Sequence, residues 1–303
     1  MGKTAFMFPG QGAQYVGMGK DFYDAVPVSR EVFDLAGKAS GLDVAALCFE
    51  ENEKINITEY TQIAMLATEV AILRAVEEKG IKADVTAGLS LGEYGALAAS
   101  GVMSDEDVFR IIRKRGIYMQ EAVPTGGAMT AVLGLDAEVI EKICAETEGI
   151  VSIANYNCPG QIVITGQETS VAEAAQKLSE AGAKRCVPLK VSGPFHSQML
   201  SGAGEKLGEA LKDVEIREIG IPYIANVTAD YVTDKGQVKD LLTKQVSSSV
   251  RWQQTIERMI ADGVDTFIEI GPGKTLSGFM RKISRNVKTF NIEKLEDLEK
   301  LTL

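Results

Sequence analysis

The sequence is poor in the residues that most often do chemistry. Its 303 residues include one histidine and one tryptophan. The four cysteines (Cys48, Cys144, Cys158, Cys186) are scattered without C-x-x-C spacing. With a single imidazole there is no basis for a zinc cluster, so no metal is expected and the cysteines read as reduced packing residues. No apolar run reaches the length of a membrane span. The start, Met1 to Met7, runs into an expected strand without the apolar stretch of a signal peptide, so a cytoplasmic location is expected. The sequons at Asn56 and Asn226 carry no weight in such a chain. Positive charge is also short, since the net charge is -10. That argues against nucleic acid as a partner, as the missing span argues against a membrane.

What remains is an ordinary globular composition, 45% hydrophobic and 24% charged. Its length sits at the upper edge for one core, which suggests a large domain carrying a smaller one. Thr4–Phe8 reads as a buried strand closed by Pro9-Gly10. A helix is expected over Ser29–Ser40, started by Ser29 and stopped by Gly41, and a longer one over Thr58–Lys79. A strand at Val85–Gly88, a helix from Leu91 and another opening on the capping box at Ser104 follow. The middle reads as strand Met129–Leu135, helix Ala137–Glu148, strands Val151–Tyr156 and Gln161–Thr165, helix Val171–Ala181 and strand Arg185–Val191. That β-α-β-β-α-β order is the ferredoxin-like pattern. Pro124-Thr125-Gly126-Gly127 and Ser192-Gly193-Pro194 bracket it as hinges. Strands at Pro222–Val227 and Thr266–Ile270 then alternate with helices at Leu200–Leu211, Trp252–Ala261 and Leu276–Ser284, so the outer parts read as an α/β parallel sheet. The spacing of Ile292, Leu295 and Leu298 predicts a terminal helix.

Gly88-Leu89-Ser90-Leu91-Gly92 fits G-x-S-x-G between a strand and a helix. A serine held on so sharp a turn leaves no room for side chains two residues to either side, and the next helix aims its N–H groups where negative charge would develop. Taken alone, the motif is also compatible with a mere capped turn. A serine nucleophile needs a base, and the lone imidazole, His196, lies on a loop after the insert, where it can take and return the proton near neutral pH. An isolated histidine is more often structural, and its pairing with Ser90 is what raises it to a candidate. Two other glycine loops are poor nucleotide sites. The loop Gly10-Gln11-Gly12 lacks the third glycine of a dinucleotide fingerprint, and Gly271-Pro272-Gly273-Lys274-Thr275 lacks the first glycine of a P-loop. The former suits an oxyanion hole, the latter a turn into a core helix.

Together, several segments resemble the malonyl-CoA:acyl-carrier-protein transacylases of fatty-acid synthesis and the related acyltransferase domains of polyketide synthases. They are Phe8-Pro9-Gly10-Gln11-Gly12-Ala13-Gln14, Gly88-Leu89-Ser90-Leu91-Gly92-Glu93-Tyr94, Arg115-Gly116 with Met119-Gln120, Gly193-Pro194-Phe195-His196-Ser197, and Phe267-Ile268-Glu269-Ile270-Gly271-Pro272-Gly273. The likeness spans almost the whole chain. It implies an α/β-hydrolase-like body, residues 1–125 and 195–303, with a ferredoxin-like insert at 126–194. It also implies Ser90 as acylated nucleophile, His196 as base, Gln245 as the residue orienting that histidine, and Gln11 and Leu91 as backbone oxyanion donors. Arg115 corresponds to the arginine gripping the malonyl carboxylate, Gln62 and Asn155 to positions near the acyl pocket. Phe195 resembles the malonyl-selecting members. One departure is Leu89, where many members have histidine.

Arg115 has a physical case of its own, because a buried guanidinium binds a carboxylate through two parallel hydrogen bonds and penalises neutral acyl groups. The resemblance implies malonyl-CoA as substrate, acyl carrier protein as a transient partner, no permanently bound cofactor and a monomer. An acyl hydrolase or a polyketide-pathway acyltransferase is the alternative. Two basic clusters, Lys184, Arg185 and Lys190, and Arg281, Lys282, Arg285 and Lys288, are candidate contacts for an acidic carrier.

Overall fold

The computed structural model describes residues 2–191 and 193–301. Met1, and Ser192 of the expected hinge, lie outside the described residues.

The chain opens with β1 (Lys3–Phe8), then α1 (Lys20–Ala25), α2 (Pro27–Ser40), α3 (Val44–Phe49), α4 (Thr58–Glu78), β2 (Val85–Gly88), α5 (Gly92–Ser100) and α6 (Asp105–Ala122). Next come β3 (Gly127–Leu133), α7 (Ala137–Ala145), β4 (Val151–Cys158), β5 (Gln161–Gln167), α8 (Glu168–Glu180) and β6 (Arg185–Pro188). The last part holds α9 (Ser201–Leu211), β7 (Ile224–Ala225), β8 (Asp230–Tyr231), α10 (Val238–Gln245), α11 (Trp252–Ala261), β9 (Val264–Ile270), α12 (Thr275–Ile283), β10 (Lys288–Ile292) and α13 (Leu295–Lys300).

A parallel sheet in the order β10-β9-β1-β2 organises the body. Strands covered on both faces read as unbroken apolar runs, and Ala5–Phe8 and Phe267–Ile268 are fully buried accordingly. The long helix α4 is buried nearly all round, and α2 and α6 pack against it. The second sheet is antiparallel, in the order β4-β5-β3-β6, with α7 and α8 packed on it. A Cβ on Gly127 would collide with the Pro194 ring, so the chain enters and leaves this unit side by side.

Several expectations need correction. Ser29 does not start α2; Pro27 occupies its first turn, and Ser29 is buried with its hydroxyl donating to the Ala71 carbonyl at 2.8 Å. Gly41 does stop that helix, in the left-handed conformation. The run Pro222–Val227 is not a full strand of the parallel sheet. Only Ile224–Ala225 pair, antiparallel with β8, and Tyr223 makes an isolated bridge to Thr86. Ile292 is not helical either, because it ends β10, the sheet's edge strand, and only Leu295 onward coils. Helical spacing over only seven residues, Ile292 to Leu298, cannot distinguish those two outcomes.

Candidate active site

The site lies at the carboxyl ends of β1 and β2, where open α/β sheets place their ligands. Between β2 and α5 the backbone turns at Ser90 with φ 55°, a left-handed conformation that side chains seldom adopt. The flanking glycines are a steric requirement. A Cβ on Gly88 would run into the Gly92 carbonyl, and one on Gly92 into the carbonyls of Phe8 and Pro9. The first glycine loop is drawn in equally closely. A Cβ on Gly10 would stand 2.7 Å from Leu89 Cδ2 and 2.8 Å from its carbonyl oxygen, while Leu89 N–H donates to Phe8 O at 3.0 Å. Gln11 and Leu91 are thereby brought to one cavity wall beside Ser90.

His196 comes from the loop after the second sheet and is also left-handed, at φ 61°. Besides Ala229, these are the positive-φ residues other than glycine among the described residues, and strain of this kind gathers at functional sites. Ser90 Oγ and His196 Nε2 are 2.8 Å apart. The ring's Nδ1 faces two carbonyl oxygens, of Gln245 at 2.9 Å and Ser248 at 3.1 Å. Carbonyls only accept, so Nδ1 carries the proton and Nε2 is left as the acceptor. Burial, then the charge of Arg115, pushes the imidazole down to about 4, against the pull of the two carbonyls. It is a free base at neutral pH.

Arg115, on α6, is completely buried. Nη1 donates to Gln62 Oε1 at 2.7 Å, and Nη2 donates to Gln245 Oε1 at 3.0 Å and to Ser90 Oγ at 3.1 Å. Since a guanidinium only donates, Ser90 Oγ accepts from it and directs its own hydrogen to His196. The guanidinium lies under the cavity floor and meets the cavity at that hydroxyl. Its Nε–H has no acceptor among the described residues. Burial lowers its pKa, yet it stays charged, because no arginine titrates near neutrality.

Gln62, Asn155 and Phe195 line the same cavity, of about 240 Å³. Gln245 orients His196 through its main chain, while its side chain bridges Arg115 to the serine turn, donating to Ser90 O at 3.0 Å. Every candidate site residue therefore converges on one place. Two further residues escaped the sequence reading. Asn226 grips the turn from both sides, accepting from Ser90 N–H at 2.7 Å and donating to Gly88 O at 2.6 Å. Glu93 is buried and accepts from Gln245 Nε2 at 2.7 Å. Glu93 follows the G-x-S-x-G motif, and Asn226 opens a sequon, and neither pattern implies a role for it. The one signal for Asn226 was a place just beyond an apolar run, where strands deliver side chains to the site.

The loop Gly271–Thr275 is a turn into α12, as expected. Glu269 receives the Leu276 and Ser277 N–H groups at 2.9 and 2.7 Å, and α12 contributes Leu276 and Phe279 to the cavity. Among the described residues there is no cluster of metal ligands and no helix long and apolar enough to cross a membrane.

A strained serine, a neutral imidazole and a buried guanidinium at one hydroxyl define a candidate serine acyl-transfer centre. Comparison with known proteins agrees. Residues 5–295 match the family model described as acyl transferase domain. The malonyl CoA-acyl carrier protein transacylase of Bacillus subtilis is 46% identical, over 99% of this chain and 96% of its own. The crystal structure of the Clostridium perfringens protein of that name superposes with a TM-score of 0.95 at 46% identity, covering 98% of this chain and 95% of that one. A malonyl-transacylase solved in complex with a type II PKS acyl-carrier protein superposes with a TM-score of 0.95 at 39% identity, over 98% of each chain. The chain belongs to the acyl transferase family, and these relatives, matched over nearly their full length, are malonyl CoA-acyl carrier protein transacylases.

Proposed function

We propose that this chain transfers the malonyl group of malonyl-CoA to the phosphopantetheine thiol of acyl carrier protein, supplying fatty-acid synthesis, through an ester on Ser90. One observation carries the reading: Ser90 Oγ lies between His196 Nε2 and Arg115 Nη2, at 2.8 and 3.1 Å. Base and carboxylate grip meet at a single oxygen.

The steps follow from those contacts. The malonyl carboxylate docks on Arg115 and takes over the donor that Nη2 offers to Ser90. Ser90 Oγ attacks the thioester carbonyl while Nε2 takes its proton, and the tetrahedral oxyanion sits on the N–H groups of Gln11 and Leu91. As the intermediate collapses, the carbon–sulfur bond breaks and His196 protonates the departing coenzyme A thiolate. The carrier's thiol then enters, gives its proton to His196 and attacks the ester, and Ser90 recovers its hydrogen. One site serving two thiols in turn is ping-pong catalysis, and it requires no cofactor. The two main-chain carbonyls on Nδ1 hold the ring in its productive tautomer in both half-reactions.

The architecture fits this use. The strand order 2-3-1-4 of the antiparallel sheet and its β-α-β-β-α-β sequence support a ferredoxin-like insert, residues 126–194, on an α/β-hydrolase-like body, residues 1–125 and 195–303. Insert residues Asn155, Leu189 and Val191 roof the cavity over Ser90. The exposed Lys190 lies between the cavity-lining Leu189 and Val191, and the exposed Arg281 and Lys282 sit on α12, whose first turn lines the cavity, which supports these three as contacts for an acidic carrier. Lys184 and Arg185 lie at the far end of β6, and Lys288 at the amino end of β10, away from the site.

Intact mass after mixing with malonyl-CoA tests the reading. A malonyl adduct that is stable until carrier protein is added, and is absent in Ser90→Ala, is the expected result. Rapid release of free malonate would instead make the chain a hydrolase, and full transfer by Ser90→Ala would remove the mechanism.

A further inference from the structure

Glu93, the second residue of α5, is 1% exposed and has no part in the steps above. Its Oε2 accepts two hydrogen bonds, from the side-chain Nε2 of Gln245 at 2.7 Å and from the main-chain N–H of Asn226 at 3.1 Å. Both partners hold the reactive centre. Asn226 fixes the turn at Ser90 and Gly88, and Gln245 touches Arg115, Ser90 and His196.

A glutamine amide has two unlike ends, and here its orientation is decided. The Gln245 nitrogen faces acceptors only, namely Glu93 Oε2 at 2.7 Å, Ser90 O at 3.0 Å and Asn226 Oδ1 at 3.4 Å. Its oxygen faces a donor, Arg115 Nη2 at 3.0 Å. Turned over, the amide would set oxygen against a carboxylate and an NH2 group against a guanidinium, and every contact would be lost. The bond to Glu93 is the shortest of the three, and although burial pushes that carboxyl up to about 7, the donors of Asn226 and Gln245 pull it the other way. Arg115 makes no ion pair among the described residues, and Glu93 is the carboxyl linked to it at one remove, through that amide.

We infer that Glu93 is a positioning residue, whose carboxylate locks the Gln245 amide and thereby holds the Arg115 guanidinium in the pose that receives the acyl group's free carboxylate. The inference rests on the proposed function, since it assigns Glu93 to the malonyl grip. Removing Glu93 should weaken that grip while leaving the Ser90–His196 pair, which Ser248 O and the Gln245 main chain still orient. The loss therefore falls on malonyl and much less on an acyl group without a carboxylate.

The experiment compares loading of Ser90 from malonyl-CoA and from acetyl-CoA in the full chain, its Glu93→Ala and Glu93→Gln variants, and Arg115→Ala, with thermal melting of each. In Glu93→Ala the malonyl-to-acetyl ratio is expected to fall by about tenfold or more, the scale of leaving one buried donor without its acceptor. In Glu93→Gln, whose amide oxygen still accepts from Gln245, it is expected to stay within about threefold of the parent. A ratio unchanged in Glu93→Ala, or equal slowing with both acyl groups, overturns the inference and leaves Glu93 a structural residue. Should Glu93→Ala not fold, Glu93→Asp replaces it. One methylene shorter, it breaks the 2.7 Å contact, and an intact ratio there is equally fatal. Arg115→Ala separates the two ideas: if it leaves the ratio intact the carboxylate-grip reading fails, and if it alone collapses the ratio only the role of Glu93 fails.

Discussion

Arg115→Ala is the perturbation that asks most of the site. In the free protein the guanidinium has given up all contact with water and holds three protein acceptors, Gln62, Gln245 and Ser90 Oγ. An arriving malonyl carboxylate exchanges the Ser90 contact for a charge-assisted pair in the same dry place. Breaking a buried pair by removing one partner costs about 3–5 kcal/mol, because the other charge is left without compensation. At about 1.4 kcal/mol per factor of ten, that is a loss of roughly a hundredfold to a few thousandfold in kcat/KM for malonyl-CoA. Acetyl-CoA offers no carboxylate, so its loading should hold or rise once the unpaired guanidinium is gone. The assay is Ser90 acylation from each thioester, followed by quenched intact mass. Malonyl preference persisting within about threefold in Arg115→Ala would refute the reasoning, since nothing else cationic touches the serine hydroxyl among the described residues.

Other consequences follow from the same geometry. His196, held down to about 4, should stay a free base through mild acid, so the acid limb of Ser90 acylation is expected near that value, and in Arg115→Ala it should move upward because one of its two depressing causes is removed. A wild-type limb at the ordinary 6.5 would contradict this. The same shift has a sign for stability. Below pH 6.5 the unfolded chain takes a proton that the folded imidazole refuses, so melting temperature should fall between 6.5 and about 4, and His196→Gln should flatten that slope. Glu69 offers the opposite case. It is wholly buried with neither oxygen paired among the described residues, and burial, then Glu269, raises it well above the carboxylate range. Its folded carboxyl keeps a proton that the unfolded chain releases above about 4.5, so stability is lost as pH rises; Glu69→Gln should stabilise the protein at pH 8.5 more than at pH 5, and an equal effect at both would count against it. Gly92→Ala puts a methyl into the carbonyls of Phe8 and Pro9, and an expected loss of about 1–3 kcal/mol or more by denaturant melts, with slower labelling of Ser90, checks the steric account of the turn.

Much of this was legible before any coordinates. The short run Thr4–Phe8, closed by Pro9-Gly10, reads as a buried strand, and β1 is one. Gly88 and Gly92 around Ser90 declare a turn that no other residue type fits. Less was legible where one short signal serves two structures, as at Ile292, which belongs to an edge strand, or at Ser29, where a capping residue turns out to be a buried hydroxyl inside a helix. Gln245 shows a different limit. Resemblance attached it to the histidine, but the contact is made by its carbonyl, an atom every residue owns, and its side chain is committed to Arg115, Ser90 and Glu93.

The sequence by itself determined the inventory: one imidazole, one serine between two obligatory glycines, an arginine on a helix, and a carboxylate two residues into another. These are covalent facts, and local sterics read them directly. Tertiary structure alone decided that Arg115 and His196 meet at the Ser90 hydroxyl, and that Gln245, 155 residues further on than Ser90, holds the same turn by the Ser90 main-chain carbonyl. It also decided which ring nitrogen holds the proton, which way an amide points, and that Asn226 pins the serine. Hydrogen-bond direction and desolvation depend on neighbours from distant parts of the chain, and no local pattern encodes who those neighbours are.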